Sequence, residues 1–180
     1  LTATNGGSIV LIASRGGVMS PTAKRLLENE RSMDWGTEFD LLWQQVSRTG
    51  DWLRDTLHRY LRAGKLVAGY GASTKGNVLL QHYGIGPGLV PVIGEINPEK
   101  FGRETPGTRI PIRPMAEVYA RHPAALLVLP WHFRAGIIEQ ESKYLDAGGE
   151  MIFPLPVPNL YFTHQGAAMT QTRQDAGRVA

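Results

Sequence analysis

Cysteine is absent from this chain of 180 residues, and its absence excludes several kinds of site. Without thiols, this sequence can hold no disulfide scaffold, no thiolate nucleophile and no cysteine-based zinc or iron–sulfur centre. Long apolar runs are absent too: none approaches the ~18–20 residues of a membrane span, and no signal peptide opens the sequence. We therefore expect a cytoplasmic globular protein without a membrane partner.

The composition is that of a folded domain: 42% of the residues are hydrophobic, 19% are charged, and the mean hydropathy is −0.19. This length suits one domain with an appended piece. The net charge of +3 is concentrated in residues 64–115, which hold six basic and three acidic side chains. Such an excess suits a phosphate-bearing ligand. Nucleic acid is not expected, because the basic residues form no run and no aromatic-interleaved pattern.

The first third of the chain predicts one strand and two helices. Residues 8–13 form a short apolar run that is typical of a strand. Ser20 is a good N-cap, and Pro21 fits the first position of the helix that follows. A longer helix is predicted over residues 37–63, beginning at a capping pair of Thr37 and Asp40.

Apolar side chains recur along that longer helix at steps of three and four residues. They are Phe39, Leu42, Trp43, Val46, Leu53, Leu57, Tyr60 and Leu61. This pattern favours packing of the helix onto its own domain, although a coiled-coil seam that joins two copies in a homodimer has the same spacing.

Strands and helices alternate after residue 64. Predicted strands cover 65–70, 90–94, 124–129 and 150–153, and predicted helices cover 74–83, 115–121 and 133–147. Alternation of this kind predicts a Rossmann-like, mostly parallel sheet flanked by helices. Residues 154–165 read as extended, Pro-rich chain and residues 166–180 as a loose polar tail. We accordingly predict a linking segment over 1–63, a Rossmann-like binding domain over 64–158 and a tail over 159–180.

A glycine-rich loop follows the first strand of this unit and opens its helix, the position of a phosphate-binding turn. Its residues are Gly69, Tyr70, Gly71, Ala72, Ser73, Thr74, Lys75, Gly76 and Asn77. The glycines permit a tight turn, Ser73 and Thr74 can cap the helix, and Lys75 can add a point charge. The loop matches neither the dinucleotide fingerprint, which has glycine where Thr74 stands, nor a P-loop, which has lysine where Asn77 stands.

Two further candidates end neighbouring strands. Glu95 follows Gly71 by 24 residues, where a carboxylate commonly accepts a hydrogen bond from a ribose hydroxyl; the alternative is a surface acid. Trp131 and His132 follow the 124–129 strand and can stack on a base or sugar. The alternative there is a core tryptophan and a histidine that only begins a helix.

Four sequence blocks together resemble a known family. GYGASTKGN, NPEKFGRETPGTRIPI, LLVLPWHF and GGEMIFPLPVP look like the C-terminal domain of S-adenosylmethionine-dependent C-methyltransferases that act on nucleotide-linked deoxysugars. The resemblance covers about residues 5–158. It implies an upstream zinc module and an upstream methyltransferase domain, with S-adenosylmethionine and zinc bound there and no cofactor here. Residues 8–13 would then be left from the end of the methyltransferase sheet.

The same resemblance implies a role for the loop. The nucleotide diphosphate sugar would lie between this domain and the preceding methyltransferase domain, held by Gly71 to Gly76, with Glu95 near a hydroxyl. Lys75, Lys100 or Arg103 would lie near phosphate. The family's catalytic residues belong to the missing domain, so this chain alone would be inactive.

The chain departs from the family pattern at two places. Glu95 and Ile96 stand where the family usually has aspartate and arginine, and His132 stands where it usually has asparagine. Two other functions remain open on the residues alone. One is an enzyme domain of Rossmann type that binds NAD or CoA, and the other is a non-catalytic oligomerisation or interaction module.

Overall fold

The computed structural model describes residues 8–164 and 167–172. The chain divides into two compact units, an N-terminal unit of residues 1–48 and a C-terminal unit of residues 49–180. This division falls inside the second helix. The limits predicted for a linking segment, a binding domain and a tail stay predictions.

In the N-terminal unit, helix α1 spans Pro21–Ser32, and the predicted cap is confirmed. The Ser20 hydroxyl accepts a hydrogen bond from the backbone N–H of Ala23 at 3.2 Å. The strand predicted at residues 8–13 is wrong. Ser8 forms a β-bridge, but residues 9–14 have no regular secondary structure and are exposed. An apolar run becomes a strand only where a neighbouring strand pairs with it, and beyond the bridge at Ser8 none of the described strands pairs with residues 9–13.

Helix α2 spans Trp35–Arg62 and begins two residues before the predicted start. The predicted pair of Thr37 and Asp40 is not the cap. Instead, Asp34 accepts hydrogen bonds from the backbone N–H of Gly36 at 3.2 Å and from the Thr37 hydroxyl at 2.8 Å. Aspartate stabilises a helix start because it satisfies N–H groups that have no partner in the helix.

The apolar face of α2 is only half covered. Leu53, Leu57 and Tyr60, in the C-terminal unit, are buried as predicted. Phe39 and Trp43, in the N-terminal unit, are 60% and 63% exposed. The predicted packing of this helix onto its own domain therefore holds for its second half alone.

A seven-stranded sheet organises the C-terminal unit. Its strands are β1 Val67–Tyr70, β2 Ile93–Glu95, β3 Ile112–Pro114, β4 Ala125–Val128, β5 Glu150–Phe153, β6 Asn159–His164 and β7 Ala167–Thr172. The spatial order is β3-β2-β1-β4-β5-β6-β7. The first five strands pair in parallel and the last two pair antiparallel. The predicted Rossmann-like, mostly parallel sheet is confirmed.

Besides the second half of α2, the described part of this unit contains four α-helices: α3 Thr74–His82, α4 Met115–Tyr119, α5 Arg134–Gln140 and α6 Ser142–Asp146. The helix predicted over 133–147 is thus two short helices. Strand β3 was not predicted, because its three residues lie in a Gly- and Pro-rich stretch. Residues 159–164 and 167–172, predicted as extended chain and loose tail, form strands β6 and β7, which pair antiparallel. Neither segment shows the apolar alternation that predicts a strand.

Strands β1 and β4 are buried along their whole length, as parallel strands covered on both faces must be. One face packs against α4, α5 and α6, and its buried core includes Tyr70, Leu126, Met151 and Phe153. This packing fixes the positions of the helix residues that border the carboxyl ends of the strands.

Candidate functional site

A cleft of about 450 Å³ lies at the carboxyl ends of β1, β2 and β4. Strand β1 lies between β2 and β4. The connection after β1 leads to β2 on one side of β1, and the connection after β3 leads to β4 on the other side. This is the topological switch point, where open α/β sheets bind their ligands. The cleft therefore lies where the glycine-rich loop was predicted to act.

The loop forms one edge of the cleft and needs its glycines. Gly71 has φ +75°, and a Cβ at this position would lie 3.0 Å from the Pro130 side chain. A Cβ on Gly76 would lie 2.4 Å from Leu129. Ser73 caps α3 by accepting a hydrogen bond from the Gly76 N–H at 3.0 Å. The loop thus brings backbone and the N-terminus of α3 to the cleft edge, an arrangement suited to an anion.

Glu95 is buried and its carboxylate is fully occupied. One oxygen accepts from the backbone N–H groups of Ile96 at 2.8 Å and Asn97 at 3.1 Å. The other accepts from the Ala72 N–H and from the Lys100 ammonium, each at 3.0 Å. These four contacts use the lone pairs of the carboxylate. Glu95 therefore joins the glycine loop to the turn after β2, and the predicted hydrogen bond to a ligand hydroxyl stays a prediction.

The same contacts set the charge of Glu95. Burial raises the pKa of the Glu95 carboxyl, but hydrogen bonds from the Asn97 N–H, Lys100, the Ile96 N–H and the Ala72 N–H outweigh it and hold the pKa below its usual value. Lys100 also donates to the Ala72 carbonyl at 3.0 Å. An ammonium has three hydrogens, so Lys100 keeps one donor for a ligand in the cleft that it lines.

The rings of Trp131 and His132, which follow β4, lie edge to face with their centroids 6.2 Å apart. Trp131 is partly buried against the core of the α4–α6 face, as the alternative sequence interpretation has it. His132 has a lowered pKa because of burial and the nearby charge of Lys75, so its ring is neutral at pH 7. Sequence reasoning missed Phe133, whose ring lines the cleft and is 56% exposed. Its only signal was an aromatic residue five positions after Val128, the last residue of β4.

Arg103 borders a separate hollow of about 330 Å³ on the other side of the first turn of α3. Thr74 and Asn77 line this hollow, whereas Ser73 and Lys100 line both it and the cleft. The structure thus gathers most of the predicted residues around one helix start, but it does not bring Arg103 into the main cleft.

Sequence reasoning also missed the residues beneath the cleft. The Tyr70 hydroxyl donates to the buried carboxylate of Glu141 at 3.0 Å, and the Gln140 amide donates to the Tyr70 oxygen at 3.0 Å. Burial, followed by the charge of Glu141, raises the pKa of Tyr70. The Tyr119 hydroxyl donates to the second oxygen of Glu141. Tyr70 is therefore more than a loop residue, because it anchors a buried polar network.

Within residues 8–164 and 167–172, no group of three or more histidine, aspartate or glutamate side chains is placed to hold a metal ion. None of the helices in the same residues is long and apolar enough to cross a membrane.

Comparison with known proteins places these features in a family context. Residues 3–156 match the profile of a family described as the C-methyltransferase C-terminal domain. The chain is also 32% identical, over 163 residues, to C-methyltransferase NovU from Streptomyces niveus. The aligned region covers 87% of this chain but only 38% of that relative.

Proposed function

Because the chain belongs to the family of C-methyltransferase C-terminal domains, we propose that it holds a nucleotide diphosphate sugar for an S-adenosylmethionine-dependent C-methyltransferase. Methyl transfer to a sugar carbon needs a general base and stabilisation of an enolate-like intermediate. The preceding methyltransferase domain would supply both, together with the S-adenosylmethionine and zinc sites. The chain alone would then bind its ligand without turning it over.

The cleft at the switch point is the observation that carries this proposal. Its walls are apolar, since Ile96, Met115, Phe133 and Ile137 line it. Ile96 and Phe133 expose 75% and 56% of their surface, which leaves them available to a planar ring. The loop edge offers the opposite chemistry, with the N-terminus of α3 and the remaining donor of Lys100. An apolar slot beside a cationic edge suits a base or sugar joined to phosphate.

The N-terminal unit supports the second half of the proposal. Phe39, Leu42 and Trp43 form one exposed stripe on α2, and exposed apolar patches commonly mark interaction surfaces. We propose that the preceding methyltransferase domain covers this stripe. A second copy in a homodimer is the alternative occupant, and light scattering on the isolated chain separates the two, because only the second copy makes the chain itself a dimer.

Isothermal titration of the chain with uridine and thymidine diphosphate sugars, NAD and CoA tests the binding role. We expect a sugar nucleotide to bind most tightly, and Phe133→Ala to weaken it about tenfold because one apolar wall is lost. Phe39→Ala, which removes an equally exposed phenyl ring outside the cleft, is the matched control and should leave binding unchanged. Tighter binding of NAD or CoA, or equal effects of the two variants, would contradict the proposal.

A further inference from the structure

A second hollow, here called the tyrosine hollow, lies on the face of the sheet that α4, α5 and α6 cover, and the proposed function does not use it. It lies beside the amino ends of β4 and β5, whereas the cleft lies at the carboxyl ends of the strands. Its volume is about 620 Å³, which is within the range of small-molecule sites. Tyr119, Glu141 and Tyr144 line it, together with the exposed residues His122 and Lys143.

Glu141 places a buried negative charge in the wall of this hollow. The residue is 8% exposed, and it lines the tyrosine hollow but not the cleft. In the described part of the chain, no basic side chain forms an ion pair with its carboxylate. Its partners are neutral groups, namely the hydroxyls of Tyr70 and Tyr119 and the amide nitrogen of Gln140. A carboxylate that leaves water without a counter-charge is costly, so this wall favours a cation.

The tyrosines around Glu141 are neutral and leave its charge uncompensated. Burial, followed by the hydrogen bond to Glu141, raises the pKa of Tyr119, and burial also raises the pKa of Tyr144. Both hydroxyls are therefore protonated at pH 7. Tyr119 donates its hydrogen to Glu141, and Tyr144 donates to the Pro123 carbonyl at 3.1 Å. With these hydrogens committed, the two hydroxyl oxygens can only accept from a ligand.

One oxygen of Glu141 can take a further hydrogen. Among the described residues, Oε2 accepts a hydrogen bond from Tyr119 alone, although a carboxylate oxygen has two lone pairs. The rings of Tyr119 and Tyr144 border the same hollow, with centroids 6.0 Å apart, and tyrosine rings attract a cation that lies over their faces. A buried negative charge, an open acceptor and aromatic rings are the features that bind an ammonium group.

We propose that the tyrosine hollow binds a small organic cation whose primary ammonium group donates to Oε2 of Glu141. This site is separate from the cleft, so the inference does not rest on the proposed function. A ligand needs both the charge and an N–H hydrogen, because the site offers a negative charge and an acceptor. Lys143 is the chain's own competitor, since it is exposed and lines the same hollow.

Nuclear magnetic resonance titration of the 180-residue chain with butylammonium tests the inference. We expect saturable shifts of the backbone amide signals of Gly148 and Gly149, which line the hollow. The uncharged 1-butanol has the same tail and should bind at least about tenfold more weakly, because it lacks the charge. Tetramethylammonium has the charge but no N–H hydrogen, and it should bind about fivefold more weakly than butylammonium.

Three variants show whether Glu141 holds the cation. Glu141→Gln removes the charge at nearly constant size and should weaken butylammonium binding at least about tenfold. Glu139→Gln, which removes an exposed carboxylate from the same helix α5, is the matched control and should leave binding unchanged. Lys143→Gln removes a like charge from the hollow and should tighten binding about threefold.

Each contrary result overturns the inference. If 1-butanol binds as tightly as butylammonium, or if the shifts lie away from Gly148 and Gly149, the hollow does not select a cation. Equal effects of Glu141→Gln and Glu139→Gln would mean that the ligand responds only to overall charge. If only Lys143→Gln binds butylammonium, Lys143 itself fills the hollow. Should Glu141→Gln fail to fold, Lys143→Gln decides, because unchanged or weaker binding would place the cation elsewhere. Binding of sugar nucleotides in the cleft is independent of all these results.

Discussion

The two units of the chain differ in how far their apolar side chains are buried. In the C-terminal unit, many large apolar side chains are buried in one core, including Leu126, Met151 and Phe153 at 0% exposure. In the described part of the N-terminal unit, α1 buries no residue at all, and Phe39 and Trp43 of α2 are largely exposed. Both units contain well-formed helices, so the contrast lies in what covers the helices.

Helix α2 shows the contrast within one element. Its apolar spacing is continuous, but every residue that it buries lies at Thr49 or later. Periodicity decides which face of a helix is apolar, whereas burial needs a neighbouring element against that face. The described part of the C-terminal unit thus has its own core, whereas the apolar face of α2 in the N-terminal unit is exposed.

The largest expected effect comes from deleting one phenyl ring in each unit. Phe153→Ala should lower the free energy of unfolding by about 3–5 kcal/mol, since it leaves a cavity in the core. Phe39→Ala should change it by less than about 0.5 kcal/mol, because that ring is mostly in solvent. Urea denaturation of both variants measures the difference. If Phe39→Ala lowered the free energy of unfolding of the isolated chain as much as Phe153→Ala does, the two units would not differ in burial. The exposed stripe on α2 would then already be covered.

Two carboxylates provide the next comparison. Glu95 and Asp34 each accept several hydrogen bonds, and both have a pKa below the usual value. In Glu95, backbone N–H groups and Lys100 overcome the effect of burial. In Asp34, the Thr37 hydroxyl is the main cause. Glu95→Gln should cost about 1–3 kcal/mol at pH 7, because a buried set of charge-assisted hydrogen bonds is weakened, and Asp34→Asn should cost less.

The pH dependence of these two variants has a definite sign. A carboxyl whose pKa is lower in the folded state stabilises the fold fully above its unfolded value, near 4.5 for glutamate. It loses that contribution as the pH falls through the folded value. The stability difference between the unaltered chain and Glu95→Gln should therefore shrink as the pH falls from 5 to about 3. Denaturant midpoints across this range measure it, and a constant difference would show that Glu95 acts through packing alone.

Local patterns predicted the parts of this fold that depend on neighbours in sequence. The parallel strands, the Ser73 cap and the tight turn at Gly71 follow from short stretches of residues, and the structure has all three. The role of Glu95 could not be predicted, because its partners Ala72 and Lys100 meet it only after β1 and β2 pair. Glu141 gave no signal either, since nothing in a helical sequence shows that a tyrosine from a distant strand will reach it.

The smallest expected difference in stability is between substitutions at two glycines with positive φ. Gly71 has φ +75° and lies against Pro130, whereas Gly16 in the N-terminal unit has φ +67° with no atom close to its missing Cβ. Gly71→Ala should cost about 1–2 kcal/mol through backbone strain and should weaken nucleotide binding, because the loop must move away from Pro130. Gly16→Ala imposes similar local strain but should leave binding and the main unfolding transition unchanged.

Calorimetry with the tightest-binding sugar nucleotide, combined with thermal unfolding, separates the two glycines. If both substitutions lower the melting temperature and neither alters binding, the loop geometry at Gly71 serves the fold alone. If Gly16→Ala weakens binding as strongly as Gly71→Ala does, the ligand also depends on the N-terminal unit, and the C-terminal unit is not a self-sufficient binding domain. Loss of affinity with Gly71→Ala alone assigns the ligand to the unit that has its own core.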